Sequence, residues 1–249
     1  MRTPHRIVLG LVLMTAQLAL AAQGQILARP AGTVSGLSGR GYWEYLPQGY
    51  DDNAPATYPL VIFLGGVGQS GDGTLAGLEA VMNTTAPPKL VRNGRHFPFI
   101  LLAPQHVSGW WAMGELDAFV EFAKSHYRVD TRRVYMTALS AGAFGVWEYT
   151  ATYPNKLAAV VPIAGNGNVA HLCDMRYVPV WAFHGESDGQ VSKWGSIDPW
   201  DTLNNVCNPK ANPPAKLTLY PGVGHDSWSQ TYSGSAGHDI YTWMLGYSR

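Results

Sequence analysis

The fold of this chain is decided by the stretch Arg133-Val-Tyr-Met-Thr-Ala-Leu-Ser-Ala-Gly-Ala-Phe-Gly145. Its apolar, β-rich part runs from Val134 to Leu139 and stops at Ser140, after which small residues lead into a helical run. This pattern predicts a strand, a sharp turn that carries a serine, and a helix. Small neighbours suit such a turn because the two backbones come close together there. The turn is therefore a candidate nucleophile elbow, in which the serine oxygen stands clear at the top of a sheet.

Two later segments end in residues that could complete a catalytic triad with this serine. The apolar run from Pro179 ends in a loop with Asp188, and the alternating run from Lys216 ends in a Gly-rich loop with His225. Each candidate follows a predicted strand, at the edge where sites assemble in an open α/β sheet. The order serine, aspartate, histidine is the one found in α/β-hydrolases. The predicted roles are nucleophile for Ser140, base for the histidine and orienting acid for the aspartate.

Each of these assignments has an alternative. Ser140 could merely cap the helix, and Glu186 is the main rival for the acid. His225 could be a loop histidine that donates to the backbone. Its neighbour Asp226 is interpreted as a surface or helix-start residue. The matched contexts and their order favour the catalytic interpretation of Ser140, Asp188 and His225.

The oxyanion of an acyl-transfer intermediate needs preorganised N–H donors. One is predicted to be the backbone N–H of Ala141, directly after the nucleophile. The second is predicted from the loop Gly65-Gly66-Val67-Gly68, which follows the first buried strand, and Val67 is the expected donor. Candidate substrate-binding residues near strand ends are Trp110, Trp111, Gln105 and Trp228, with Trp194 and Trp200 as further possibilities. His106 is expected to brace a loop and His184 to pack beneath the acid loop.

Composition limits the class of protein. The chain has 249 residues, of which 46% are hydrophobic and 14% charged, which suits one α/β domain with a sizeable core. The net charge is zero, with 17 basic and 17 acidic residues, so no basic field exists to attract nucleic acid. No internal repeat or long linker interrupts the pattern.

The N-terminal residues have the pattern of a secretory signal peptide. A basic start precedes an apolar run from Ile7 to Leu20, and Ala19-Leu-Ala21 is a small-x-small cleavage signal. We expect residues 1–22 to be removed and residues 23–249 to form a single catalytic domain, secreted or periplasmic and free of the membrane. The alternative is a membrane anchor, for which the apolar run is short.

The two cysteines, Cys173 and Cys207, follow the signal sequence. In an oxidising compartment such a pair is most simply one disulfide, and its loop would contain Asp188. The alternative is two free buried thiols. No metal site is expected, since no Cys/His spacing typical of one lies near.

Strands that alternate with helical segments predict an α/β fold with a mostly parallel sheet and helices on both faces. Predicted strands cover 41–46, 58–64, 97–103, 134–139 and 157–164, and two more end before the triad acid and histidine. Helical spacing covers 75–83, 115–127, 146–149 and about 236–246. The strand at 41–46 is expected at an edge, and Pro87-Pro88 is expected to end the first helix. Residues 189–215 are the least regular part and the expected source of a substrate-shaping loop.

The chain resembles a secreted α/β-hydrolase of the esterase/depolymerase type. That group takes in feruloyl and acetyl-xylan esterases, polyhydroxyalkanoate depolymerases and prolyl-oligopeptidase-like predicted peptidases. The resemblance covers nearly all of residues 23–249 and is carried by the triad segments and by 45–50, 99–105, 127–130, 153–154, 183–185 and 225–232. It implies the α/β-hydrolase fold and ester hydrolysis through an acyl-enzyme, without a cofactor.

Two positions depart from the group's usual pattern. The elbow is usually Gly-x-Ser-x-Gly, but here Ala138 replaces the first glycine. The usual His-Gly of the oxyanion loop is Gly65-Gly66, so the histidine that generally braces this loop is missing. The backbone N–H donors are unaffected by either change.

The leading hypothesis is a serine carboxylic-ester hydrolase that acts on small esters, on aryl or hydroxycinnamoyl esters, or on polyester oligomers. One alternative is a serine peptidase of the prolyl-oligopeptidase type. Another is a catalytically inactive homologue that binds carbohydrate through surface tryptophans. The natural substrate and the oligomeric state stay open, because specificity depends on the shape of loops.

Overall fold

One sheet organises the part of the chain that the computed structural model describes, which is residues 23–34, 40–50, 55–107 and 110–249. Its eight strands lie in the order β1-β2-β4-β3-β5-β6-β7-β8. They are β1 Ile26–Arg29, β2 Tyr42–Tyr45, β3 Tyr58–Leu64, β4 Ile100–Pro104, β5 Val129–Leu139, β6 Ala159–Ile163, β7 Trp181–Gly185 and β8 Lys216–Tyr220. Strand β2 runs antiparallel to both its neighbours, and the other pairings are parallel. The carboxyl ends of the parallel strands therefore share one edge.

Helices cover both faces of this sheet. They are α1 Leu75–Leu78, α2 Pro87–Arg92, α3 Met113–His126, α4 Ala141–Thr152, α5 Trp194–Asp201, α6 Trp228–Ser233 and α7 Ile240–Leu245. Short 3-10 helices lie at Val67–Gln69, Glu79–Met82 and Leu172–Met175, and a π-helical turn at Thr202–Val206. The described residues contain no helix that is long and apolar enough to cross a membrane. The predicted signal peptide, residues 1–22, lies outside the described residues.

Strand β3 shows why a continuous apolar run predicts a central parallel strand. Leu60 and Ile62 pack in one core cluster, with the buried faces of α3 and α4. Val61 and Phe63 point to the other face, into a second cluster with α1, α2 and α7. Successive side chains in a strand alternate between faces, so a strand covered on both sides needs apolar residues throughout. The predicted sheet is confirmed by this arrangement.

Several predicted elements need correction. Strand 41–46 is not at an edge, because Ile26–Arg29 pairs along its outer side. Pro87-Pro88 begins helix α2 rather than closing the preceding one, since a first helical turn does not need proline's missing N–H. Region 189–215 contains α5 and the π-helical turn, with Pro199 inside the helix. Helix α6 had no counterpart in the predicted elements.

The predicted disulfide is confirmed between Cys173 and Cys207, 34 residues apart in sequence. It joins the 3-10 helix after β6 to the residue that closes the π-helical turn after α5. The closed loop contains strand β7 and Asp188. The bridge therefore limits the conformations that this part of the chain can adopt when it unfolds.

We expect the double variant Cys173→Ser/Cys207→Ser to lose about 3.5–4 kcal/mol of unfolding free energy, from the entropy of a loop of this length. Urea denaturation at neutral pH measures the difference. The oxidised parent is the reference, and the parent kept in dithiothreitol should lose a similar amount. Equal stability of the parent and the double variant would show that the bridge contributes nothing.

Candidate active site

Ser140 lies in the turn between β5 and α4, with a strained backbone. Its φ is 51° and its ψ −125°, a region that residues other than glycine rarely adopt. The Ser140 N–H donates to the carbonyl oxygen of Ile163 at 2.9 Å, which ties the turn to the end of β6. Ala138, which replaces the usual first glycine, is fully buried. The strained turn leaves Ser140 partly exposed at the carboxyl end of β5.

Three side chains form a hydrogen-bonded chain at this edge. Ser140 Oγ lies 2.9 Å from His225 Nε2, and His225 Nδ1 lies 2.7 Å from Asp188 Oδ2. The Asp188 carboxylate accepts from Nδ1–H, so Nε2 is left free to accept the serine proton. The structure thus brings together the serine, histidine and acid that the sequence singled out. They follow β5, β8 and β7 respectively.

The Asp188 carboxylate has a dense set of donors. Its Oδ1 accepts from the backbone N–H groups of Gln190 and Val191 at 2.8 and 2.9 Å. Its Oδ2 lies 3.2 Å from His184 Nε2, and its side chain is fully buried. Burial by itself raises the pKa of Asp188, but the hydrogen bonds from His225 and the two backbone N–H groups outweigh it and lower the pKa. The carboxylate therefore stays ionised at neutral pH.

His184 is a second imidazole on the same carboxylate. It is fully buried, with Nδ1 2.8 Å from Ser196 Oγ and Nε2 3.1 Å from the Val191 carbonyl oxygen. Burial lowers the pKa of His184, so the ring is neutral. Because both acceptors lie near Nε2, that atom carries the proton, and Nδ1 accepts from the Ser196 hydroxyl. His184 thus orients the acid, which is more than the packing role expected from the sequence.

The rival acids are placed elsewhere. Glu186 is exposed. Asp226 is exposed too, and its Oδ1 accepts from the Ser229 N–H at 2.9 Å at the start of α6. Asp226 therefore has the helix-start position that the sequence indicated.

Two helices begin near Ser140. Ala141 begins α4 and Val67 begins the 3-10 helix Val67–Gln69. The first N–H groups of a helix have no acceptor within that helix, so both remain available to an oxyanion. A Cβ placed on Gly66 would lie 3.0 Å from the Ser140 Cβ, which shows how close this loop comes to the nucleophile. The Gly66 N–H is engaged by the Gln69 side chain at 2.9 Å.

A cavity of about 230 Å³ lies beside the first turns of α4. It is lined by Trp110, Trp111, Met113, Phe144, Gly145, Glu148, Asn166, Asn168 and Val169. Trp110 is 67% exposed, and its ring centroid lies 5.1 Å from that of Phe144. The Phe144 N–H bonds to the Ser140 carbonyl at 3.3 Å, so this aromatic wall begins one helical turn from the nucleophile.

Two other predicted cleft residues, Trp111 and Trp228, make hydrogen bonds and ring contacts inside the protein. Trp111 is largely buried, and its Nε1 donates to the Gly65 carbonyl at 3.2 Å, although its ring also lines the cavity. Trp228 packs its ring edge-on against His225, with centroids 5.0 Å apart, and donates to Thr84 Oγ1. It therefore shields one side of the His225 ring.

Gln105 does not reach the cleft that the sequence suggested for it. It is 2% exposed, and its amide is hydrogen-bonded to the backbone of Gln69, Gly73 and Gly77. A glutamine that follows a strand end can point either into a cleft or into the neighbouring loop, and the tertiary approach of that loop decides between them.

Three further aromatic residues lie outside the cavity lining. His106 is buried and stacks on Trp111, with ring centroids 4.9 Å apart. Trp200 donates to the Ala215 carbonyl, and Trp194 is exposed. Within the described ranges no group of three or more His, Cys, Asp or Glu side chains could hold a metal ion.

Comparison with known proteins gives two curated relatives. The chain is 31% identical over 142 residues to poly(3-hydroxyalkanoate) depolymerase C of Paucimonas lemoignei, which is 49% of this chain and 30% of the depolymerase. It is 28% identical over 98 residues to the bifunctional acetylxylan esterase/xylanase XynS20E of Neocallimastix patriciarum, 36% of this chain and 15% of that enzyme. The match thus spans less than a third of either relative's length. No family profile matches the chain.

Solved structures share the fold. A thermostable esterase is 27% identical, with a TM-score of 0.66 over 84% of this chain and 59% of its own. A ferulic acid esterase is 18% identical, with a TM-score of 0.61 over 89% of this chain and 97% of its own. The chain has the α/β-hydrolase fold, and the resemblance to esterases and depolymerases that its sequence shows is confirmed.

We expect Asp188→Asn to remove a pH-dependent part of the stability. A carboxylate whose pKa is lower in the folded protein stabilises it above its unfolded pKa of about 3.9, and this contribution is lost as the pH falls through the folded value. The parent should therefore be more stable than the variant at pH 6 by a constant margin that shrinks below about pH 4. Urea unfolding of both proteins between pH 3 and 7 measures the margin, and a margin that grew on acidification would contradict the assignment.

Proposed function

We propose that this α/β-hydrolase-fold chain is a serine carboxylic-ester hydrolase that works through an acyl-enzyme. The observation that carries the proposal is the continuous hydrogen-bonded chain from Ser140 through His225 to Asp188 at the carboxyl edge of the sheet. The relatives named as a depolymerase and an acetylxylan esterase, and the solved esterases of the same fold, support it.

In this mechanism Ser140 Oγ attacks the ester carbonyl carbon while its proton passes to His225 Nε2, 2.9 Å away. The positive imidazole is stabilised by the ionised Asp188. The tetrahedral oxyanion accepts from the N–H groups of Ala141 and Val67. The intermediate then expels the alcohol, which takes the proton from the histidine. Water repeats the sequence on the acyl-enzyme and releases the acid.

The cavity beside α4 is proposed to hold the flat or apolar part of the substrate. Trp110 and Phe144 offer aromatic faces, and Glu148 and Asn166 add polar groups to the same lining. Aryl and hydroxycinnamoyl esters fit such a wall, as do short polyester segments, whether free or attached to a polymer. A zero net charge gives no preference for anionic partners.

We propose that the protein acts outside the cytoplasm, secreted or periplasmic. The disulfide between Cys173 and Cys207 supports this location, because such bonds persist in oxidising compartments. The signal-like pattern of residues 1–22 points the same way.

We expect Ser140→Ala to lower the kcat for p-nitrophenyl acetate and butyrate by about 10⁴-fold or more, because the nucleophile is lost. Release of p-nitrophenol by the purified protein at neutral pH measures it. Ser125→Ala is the matched control, since Ser125 lies on α3, is exposed, and its hydroxyl donates to the Phe122 carbonyl. Equal turnover by Ser140→Ala and Ser125→Ala would refute the nucleophile, and a parent that turns over neither ester would favour an inactive homologue.

We expect Trp110→Ala to raise the KM for an aryl-acyl ester such as methyl ferulate about fivefold, with a small effect on p-nitrophenyl acetate, because an aromatic contact is worth about 1 kcal/mol. Trp194→Ala is the matched control, an exposed tryptophan outside the cavity lining. If the two tryptophan variants changed KM equally, the cavity would not be the acyl site.

A further inference from the structure

The loop after β3 lacks the histidine that its resemblance to other esterases leads one to expect, and a glutamine occupies the space instead. A Cβ placed on Gly65 would lie only 2.5 Å from the Gln69 Cβ. Position 65 therefore cannot carry a side chain while Gln69 keeps its place. The "oxyanion loop" is defined here as residues 65–71.

Gln69 is buried and folds back over the two glycines at the start of the loop. The Gln69 Oε1 accepts from the Gly66 backbone N–H at 2.9 Å, and the Gln69 backbone N–H donates to the Gly66 carbonyl at 3.0 Å. Since the Gly66 N–H is used in this way, the first N–H of the 3-10 helix that remains without a side-chain partner is that of Val67. The side chain thus removes the Gly66 amide from the donors that could reach an oxyanion.

Gln105, at the end of β4, holds Gln69 in turn. Its Nε2 donates to the carbonyls of Gln69 at 3.0 Å and Gly77 at 2.7 Å, and its Oε1 accepts from the Gly73 N–H at 3.0 Å. Its neighbour supports the same segment through the backbone, because the Gly71 N–H donates to the His106 carbonyl at 3.0 Å. One buried amide thereby fixes Gln69 in the oxyanion loop, Gly73 just after the loop, and Gly77 in helix α1.

A glycine-rich loop needs such a brace. Gly65, Gly66, Gly68 and Gly71 give the oxyanion loop more conformational freedom than other residues would, and its position must be fixed before the reaction. Preorganised donors stabilise a transition state only if they do not have to move into place. A displacement of about 1 Å at such a point can cost about 100-fold in rate.

We propose that Gln69 and Gln105 are positioning residues that hold the Val67 N–H toward the carbonyl oxygen of the reacting ester, in place of the missing histidine. The inference rests on the proposed esterase function. In the proposed role, neither glutamine contacts the substrate. Both act through the backbone of the oxyanion loop.

The test compares Gln69→Met and Gln105→Met, which keep the length of the side chain and remove its hydrogen bonds. With p-nitrophenyl acetate, kcat should fall about 10- to 100-fold while KM changes less than about threefold, because the oxyanion forms only in the transition state. An aryl trifluoromethyl ketone bonds to Ser140 Oγ as a hemiketal whose oxygen occupies the oxyanion position. Its inhibition constant should rise by the same factor as kcat/KM falls.

Tyr45→Phe is the matched control for the loss of buried hydrogen bonds. The Tyr45 hydroxyl bonds to both the N–H and the carbonyl of Phe97, at the opposite edge of the sheet. The Tyr45→Phe variant should have a lower melting temperature than the parent, with the same kcat and the same inhibition constant for the ketone. Hydrogen exchange of the peptide 64–74 should speed up in both methionine variants and stay unchanged in this control. If Gln105→Met does not fold, Gln69→Met alone decides the outcome.

Unchanged kcat in folded methionine variants would overturn this inference and leave the esterase function standing. A fall in kcat without a matching rise in the inhibition constant of the ketone would also overturn this inference. That result would indicate a general loss of structure. If the parent shows no turnover, or if its turnover does not depend on Ser140, the proposed function is overturned and this inference with it.

Discussion

The site depends on one close approach between two backbones. A Cβ placed on Gly142, in the first turn of α4, would lie 2.3 Å from the carbonyl oxygen of Leu64 at the end of β3. Only glycine fits there, and the contact sets the start of α4 against the start of the oxyanion loop. Because Ser140 precedes α4 directly, the same approach places Ser140 beside Gly66. The strained φ of Ser140 is held by this packing and by its hydrogen bond to β6.

Each member of the proposed triad is held by different local contacts. The serine is fixed by the strained elbow, and the acid by hydrogen bonds that its own loop supplies. The histidine is placed by the turn after β8 and shielded by Trp228. Asp188 is surrounded by two backbone N–H groups and two imidazoles, so its charge is stabilised despite burial. The three sets of contacts meet because parallel strands end at a common edge of the sheet.

The sequence predicted the parts of this arrangement that depend on chain order and on long apolar runs. Strand β3 and the elbow could be identified because a buried parallel strand and a strand-turn-helix leave distinct patterns. Strand β1 could not, since its four residues are only partly buried and carry little pattern. Helix α2 was hidden by its prolines, which the first turn of a helix accepts as readily as a helix end does.

The sequence also could not predict the direction in which some side chains point. Gln105 and Trp111 follow strand β4 and were both candidates for the cleft, yet both bond to the backbone after β3. That choice depends on how closely two loops approach, which no local pattern records. The side chains that support the proposed oxyanion loop are two amides and an indole. None of these groups titrates near neutrality. His106, whose carbonyl accepts from the Gly71 N–H, has a pKa lowered by burial and by the charge of Arg40, so its ring too is neutral there. The support of the loop is thus independent of pH around neutrality, so any proton transfer in the proposed mechanism falls to Ser140, His225 and Asp188.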